Sequence, residues 1–367
     1  MSKKNSSVNA KKKINIRKFL KGDLLTYLMV IAVYAVLQTM VATGNMKSLY
    51  QGLLVPMCVY SIMALSLNLT VGVMGELSLG HAGFMCLGAF SGAIFSKITS
   101  DIIAVDLLRF ILAILIGAAV AAFFGFLIGI PVLRLKGDYL AIVTLAFGEI
   151  IKNVVNVFFM GIDKNGLHLS MKDEMSLNLA EGGKTIMKGP QGIVGTPNDS
   201  TFTIGVVLIL ITLVIVLNLI HSRSGRAIMA IRDNRIAAES IGIHITKYKM
   251  MAFVISAALA GVAGVLYSHN LSSLQAQPQN FGYNMSIMIL VYVVLGGIGN
   301  MRGSIIAASI LTILPELLRS FADYRMLVYA IVLILMMLFN WAPDCLEFRE
   351  RHSLKNMFAG KKAKEVQ

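Results

Sequence analysis

Charge is what this sequence has least of. Asp, Glu, Lys and Arg make up 14% of its 367 residues, where a soluble domain carries about 25%. So little charge cannot cover a water-facing surface of this size, which excludes an ordinary soluble domain. Cysteine is scarce too: Cys58, Cys86 and Cys345 include no Cys-x-x-Cys pair. That leaves no disulfide framework and no cysteine-built metal site, and all three read as free thiols. Neither His-Glu-x-x-His nor Gly-x-Ser-x-Gly occurs, so no catalytic constellation supports an enzyme. The run Gly183-Lys184-Thr185 is no phosphate-binding loop, because Asn178 stands where the first glycine belongs.

What the chain does have is apolar residues, 56% of the total, gathered in long blocks. The blocks are Leu24–Ala42, then 49–69, 79–95, 107–130, 139–160, 202–220, 250–267, 286–295, 304–318 and 326–341. At about 1.5 Å per residue most can span a hydrocarbon core of about 30 Å. They predict an all-α polytopic membrane helix bundle of about ten transmembrane helices, spanning residues 24–341 as one permease-like domain. The first block follows a basic stretch, as in a signal peptide. It is longer than the apolar part of one, and no Ala-x-Ala site follows, so it reads as a membrane helix. No block shows the period-2 pattern of a membrane β-barrel.

The net charge of +14 fits a nucleic-acid binder or a membrane protein with a basic inner side. Placing residues 1–23 in the cytoplasm and alternating sides decides the matter. The inside segments, 1–23, 70–78, 131–138, 221–249, 296–303 and 342–367, hold 23 Lys/Arg against nine Asp/Glu, and the outside segments hold nine against nine. The whole excess lies inside. The pattern predicts an even number of helices, cytoplasmic basic tails at 1–23 and 342–367, and no nucleic-acid partner. Residues 161–200 become the one long outside segment, polar and without apparent structure, and such a stretch is either functional or a solvated loop.

The inside segment 221–249 is long, basic and partly apolar. Asp233 or Asn234 can cap a short helix over 235–241, and Gly242 can end it. A helix this short is unstable alone in water and needs a partner for Ile236 and Ile241. The partner is either a cytoplasmic ATPase or an anionic lipid surface.

Two glycine-rich stretches interrupt apolar blocks. The first holds Gly72, Gly75, Gly80 and Gly83 with Glu76, Ser78 and His81, and the second holds Gly296, Gly297, Gly299 and Gly303 with Asn300 and Arg302. They predict broken or re-entrant helices that line a cavity, where backbone N–H groups could receive a carboxylate. Small residues also permit close helix packing. Glu149 lies inside the fifth block with Lys152 one turn on. A carboxylate at that depth marks either a functional site or a structural pair. His81 reads as a hydrogen-bonded packing residue rather than a ligand.

Several of these segments resemble, in order, the larger (M-type) permease subunit of branched-chain amino-acid ABC importers. They are Leu65 and Asn68 with Gly72; Leu77-Ser78-Leu79-Gly80-His81-Ala82-Gly83-Phe84; Gly137-Asp138-Tyr139-Leu140 through Thr144-Leu145, with Phe147-Gly148-Glu149-Ile150; and Gly189-Pro190-Gln191-Gly192-Ile193. Further on come Gly225-Arg226-Ala227, Arg232-Asp233-Asn234, Ala237-Ala238-Glu239 with Gly242, and Val294-Leu295-Gly296-Gly297-Ile298-Gly299. The resemblance covers about residues 50–340.

It implies a heteromeric importer in the bacterial cytoplasmic membrane. The implied partners are a second homologous permease subunit, two cytoplasmic ATPase subunits and an extracytoplasmic binding protein. The chain would bind no cofactor or metal, and ATP and Mg would be used by the ATPases. Gly225, Arg226, Arg232, Asp233, Asn234, Ala237, Ala238, Glu239 and Gly242 would couple to an ATPase. Gly75, Ser78, Leu79, Gly80, His81, Glu149, Gly296, Gly297 and Gly299 would line half of the translocation path. Other substrates within the family, urea or short amides, and an ion-coupled carrier outside it stay open at this point.

Overall fold

A computed structural model describes residues 24–318, except 101, 104, 136, 165 and 180–182, together with 327, 330, 331 and 334. Both basic tails, Cys345 and the block 326–341 as a helix lie outside the described residues. The chain divides into two compact units, Met1–Ser309 and Ile310–Gln367, and the first holds nearly all of the described residues.

The helices follow the apolar blocks. They are α1 Leu24–Ala42, α2 Ser48–Asn68, α3 His81–Ile98, α4 Asp106–Val132, α5 Asp138–Val157 and α6 Phe202–His221. After α6 come two short polar helices, α7 Arg223–Asp233 and α8 Arg235–Ser240. The chain continues through α9 Ile245–Ser268, α10 Pro278–Phe281, α11 Tyr283–Gly296 and α12 Met301–Leu317. Among the described residues, six helices are long and apolar enough to cross a membrane: α1, α2 with its extension to Met74, α4, α5, α6 and α9. With 14 residues, α11 rises only about 21 Å, short of a full core. The molecule is a multi-pass membrane helix bundle, as the sequence predicts.

Small residues set the centre of that bundle. Helix α9 packs on α2, α3 and α4, and the backbones touch where glycines meet. A Cβ on Gly88 would lie 2.2 Å from the Gly261 carbonyl oxygen, and one on Gly264 would lie 2.1 Å from that of Met85. Without side chains at these points the helices approach closely, which substitutes for the hydrophobic driving force that lipid does not supply. Helices α1 and α4 instead leave most of their apolar surface uncovered, including Leu115, Phe123 and Phe126.

Segments between helices meet in two places, one near each end of α9. At one end the Glu76 carboxylate pairs with Lys249, and Arg232 reaches Gly72. At the other, Lys97 Nζ donates to the carbonyls of Ile186 and Val194. There too Arg109 pairs with Asp199, and Ser96 bonds His269 at 2.7 Å.

The segment 161–200 departs from expectation. It is not structureless. Strands β1 Phe159–Asp163, β2 Gly166–Ser170 and β3 Lys184–Lys188 form an antiparallel sheet of order β2-β1-β3. A second pair joins β4 Ile193–Val194 to β5 Ser273–Leu274. The fifth apolar block runs to Met160, but α5 ends at Val157 and the chain turns directly into β1. Ribbon pairing satisfies the backbone groups that a loop of this length would otherwise leave to water.

Candidate functional site

Two structures at the Arg232 end of the bundle carry most of the residues singled out by sequence. The first is the helical pair α7–α8. Ser222 caps α7 by accepting the Gly225 N–H at 3.0 Å, and Asn234 caps α8 by accepting the Ala237 N–H at 3.0 Å. The alternative cap, Asp233, instead accepts from the Arg232 guanidinium. Helix α8 closes with Gly242 at φ +83, the Gly242 N–H donating to Glu239 and the Ile243 N–H to Ala238. That pair of bonds is a Schellman closure, which needs the left-handed conformation that glycine adopts most readily.

The two helices are fixed to each other and to α9 by a small apolar cluster. Ile231, Ala238 and Ile245 form its buried core, with Ile243 and Tyr248 packed against it. Gly225 is buried where α6 turns into α7, its Cβ position 2.0 Å from the Leu219 carbonyl oxygen, and Arg226 donates to the His221 carbonyl. Ala237 and Glu239 face outward. So do the two isoleucines: Ile236 is 81% exposed and Ile241 is 75% exposed. An isoleucine side chain fully left in water forgoes about 1.5–3 kcal/mol. This capped projection therefore presents two exposed isoleucines, on a segment that also carries Arg223, Arg226, Arg232 and Arg235.

The second structure is the break between α2 and α3. The α-helical ladder of α2 gives way to a π-helical turn, Leu69–Met74, which ends at Gly75 with φ +77. The chain is then irregular until α3 starts at His81. The two glycine-rich stretches meet here. Asn68 Oδ1 accepts the Gly299 N–H at 2.8 Å, its Nδ2 donates to Ser304 Oγ at 2.7 Å, and a Cβ on Gly72 would lie 2.4 Å from Gly299 N. Gly296 packs backbone to backbone against Gly303, and Gly297 and Gly299 take positive φ in the turn between α11 and α12.

Several backbone N–H groups at this break are engaged within the protein. That of Leu79 donates to Thr144 Oγ1, that of Ala82 to Ser286 Oγ, and those of Gly83 and Phe84 to the Gly80 carbonyl. Gly80 presses on the Thr144 carbonyl and Gly83 on Gly148. Ser78, Gly80 and His81 are buried, whereas Gly75 and Gly299 are exposed and Leu79, Gly296 and Gly297 partly so.

His81 belongs to a polar knot that sequence reasoning did not find. Ser256 Oγ, on α9, donates to the Ser66 carbonyl at 2.6 Å and accepts from Thr70 Oγ1 at 2.9 Å. Its remaining lone pair faces His81 Nε2 at 2.8 Å. The hydroxyl has one proton and it is already used, so His81 donates from Nε2, with Nδ1 toward Ser78. The knot ties α2, α3 and α9 together where α2 changes helical form.

Glu149 sits apart from both structures. One carboxylate oxygen pairs with the buried Lys152, and Oε1 accepts the Tyr283 N–H at 2.7 Å. The carboxylate therefore caps the N-terminus of α11, where negative charge is favoured, about three fifths of the way along α5.

Among known proteins, the chain matches the family described as the branched-chain amino acid transport system permease component over residues 49–339. It is 36% identical over 307 residues to the high-affinity branched-chain amino acid transport system permease protein LivM of Salmonella typhimurium, covering 81% of this chain and 69% of that protein. It is 29% identical over 175 residues to LivH of the same organism, covering 44% of this chain and 56% of that protein. With the ribose import permease protein RbsC of Escherichia coli it shares 34% identity over 126 residues, 32% of this chain and 39% of that one. No solved structure matches it. With the family match spanning most of the chain and running through both the α7–α8 pair and the break after α2, this protein belongs to the branched-chain amino acid transport system permease family.

Proposed function

We propose that this chain is the permease subunit of an ATP-driven ABC importer for leucine, isoleucine and valine, and that α8 is the element that docks a cytoplasmic ATPase. The observation that carries the docking assignment is the exposure of Ile236 and Ile241 on a helix that is capped at both ends and anchored from behind. The substrate class rests on the family and on the likeness to LivM. An ion-coupled carrier finds little support, because both oxygens of Glu149 are engaged by Lys152 and Tyr283.

In this reading the α7–α8 end faces the cytoplasm of a bacterial cell, as do both basic tails. The sheet β1–β3 lies outside, where an extracytoplasmic binding protein would dock. The chain pairs with a homologous permease subunit to form the path, and two ATPase subunits bind and hydrolyse MgATP. The glycine-rich stretches at 72–83 and 296–303 form this subunit's share of the path. Substrate choice falls mainly to the binding protein.

The docking assignment is tested by Ile236→Asp and Ile241→Asp in the assembled transporter. Both variants are expected to reach the membrane at wild-type levels yet lose the co-purifying ATPase subunit and ATP-driven uptake. Retention of the ATPase subunit by both would refute it.

A further inference from the structure

The residues of the sequence motif at 225–242 do not all face outward, and one of them points the other way. Arg232, in the last turn of α7, reaches across to the π-helical end of α2. Its Nη1 donates to the Gly72 carbonyl at 2.7 Å. The last carbonyls of a helix have no partner within it, and the negative end of the helix dipole favours a cation. Arg232 meets both needs from another element, acting as a C-cap for α2 contributed 160 residues later.

The contact involves more than one hydrogen bond. The aliphatic stem of Arg232 lies over Gly75: a Cβ there would come within 2.4 Å of Arg232 Cγ. Asp233 accepts from the other guanidinium nitrogens, at 3.1 Å from Nε and 3.0 Å from Nη2, which fixes the fork. On its far side the π-turn holds the α11–α12 turn through Asn68, Gly72 and Gly299. Just beyond it, Glu76 pairs with Lys249 at the start of α9. The cluster of Ile231, Ala238 and Ile245 packs α8 against α7 and α9. From α7, the Arg232 side chain grips the broken end of α2.

We propose that Arg232 is the strut through which movement of the docked α7–α8 unit is delivered to the break in α2, and hence to the path, rather than a contact residue for the ATPase. The proposal rests on the docking role of α8. Arg232 is in these terms a positioning residue. A π-turn suits the role, because its ladder is already out of α-helical register and such turns are frequent at functional sites.

The test compares Arg232→Met, which keeps the stem over Gly75 and removes the fork, with Arg232→Lys and Ile236→Asp, all in the complete transporter in proteoliposomes. Three quantities are read: co-purifying ATPase subunit, ATP hydrolysis, and leucine taken up per ATP hydrolysed. Arg232→Met is expected to keep the ATPase subunit and hydrolysis but to lose about tenfold in uptake per ATP, the size of effect that residues within coupling networks can reach. Arg232→Lys, able to return one of the bonds, is expected to recover part of that loss. Wild-type uptake per ATP in Arg232→Met overturns the strut. So does loss of the ATPase subunit in that variant at normal membrane levels, which would make Arg232 a docking residue. If Ile236→Asp keeps both the ATPase subunit and uptake, the docking reading itself fails, whatever Arg232 does.

Discussion

Gly72→Ala and Gly52→Ala place one methyl group at two points of α2 and its extension, with opposite consequences. At Gly52 a Cβ meets no atom within 4 Å. Alanine there gains the helix preference over glycine, about 1 kcal/mol. At Gly72 the Cβ would lie 2.1 Å from Asn68 Oδ1, 2.4 Å from Gly299 N and 2.7 Å from Gly299 Cα. Non-bonded heavy atoms settle at about 3.5 Å, so the α11–α12 turn must retreat by roughly 1 Å. Asn68 cannot simply swing aside without giving up Ser304. Overpacking costs about 1–3 kcal/mol and the lost Asn68–Gly299 bond about 1 kcal/mol, less the same propensity gain. The two variants should therefore differ by about 2–4 kcal/mol in stability. Thermal unfolding of the detergent-solubilised protein reads the difference, and hydrogen exchange at the Gly299 amide reads its location: exchange should speed up in Gly72→Ala alone. Equal stability of the two variants, with Gly299 still protected in both, would refute the packing argument.

Three further outcomes are expected from the same geometry. Gly242→Pro cannot take the observed φ of +83 and loses the N–H that closes α8; it should uncouple ATP hydrolysis from uptake at normal membrane abundance, and normal uptake would remove α8 from the mechanism. Glu149→Gln leaves the buried Lys152 without its counter-charge, costing up to about 3 kcal/mol, so folded yield should drop. It should recover in the double variant Glu149→Gln/Lys152→Met, and a double variant no better than the single would mean the pair is not the reason. The third concerns pH. The hydrogen bond from Lys188, and then that from Thr185, hold the Glu174 carboxyl below the usual carboxylate range. A lowered pKa in the folded state means the contact stabilises the segment above the ordinary carboxylate pKa and is lost as pH falls through the lowered value. Protection of the β3 amides, taken relative to intrinsic exchange at each pH, should fall on acidification in the wild-type protein and not change with pH in Glu174→Gln.

Local features of this fold can be read from the sequence because their causes are local. Asn234 and Gly242 mark the ends of α8 through a side-chain cap and a positive φ, and both needs show in the residue types. The apolar blocks give the helices because lipid demands uninterrupted length. The β-ribbon escapes such a reading although it leaves a signal. Gly166-Leu167-His168-Leu169-Ser170 carries a short polar–apolar alternation, but the polar composition around it reads as loop, and Lys184-Thr185-Ile186-Met187-Lys188 does not alternate at all. Helix α7 also leaves one, Ile228 and Ile231 one turn apart and both buried.

What the sequence could not disclose is which distant groups meet. Arg232 with Gly72, Glu76 with Lys249, and Ser256 with His81 are separated by more than 150 residues each. They are fixed by how the helices pack, not by any pattern along the chain. For the same reason Glu149 could be flagged as costly at its depth but not assigned to the N-terminus of α11.

The most direct test of the importer assignment is radiolabelled leucine uptake by proteoliposomes holding this chain with its partner permease subunit, ATPase subunits and binding protein, with and without ATP on the ATPase side. Uptake is expected to require both ATP and the binding protein and to be competed by isoleucine and valine. Leucine uptake by this chain alone, driven by an ion gradient and indifferent to ATP, would contradict the assignment.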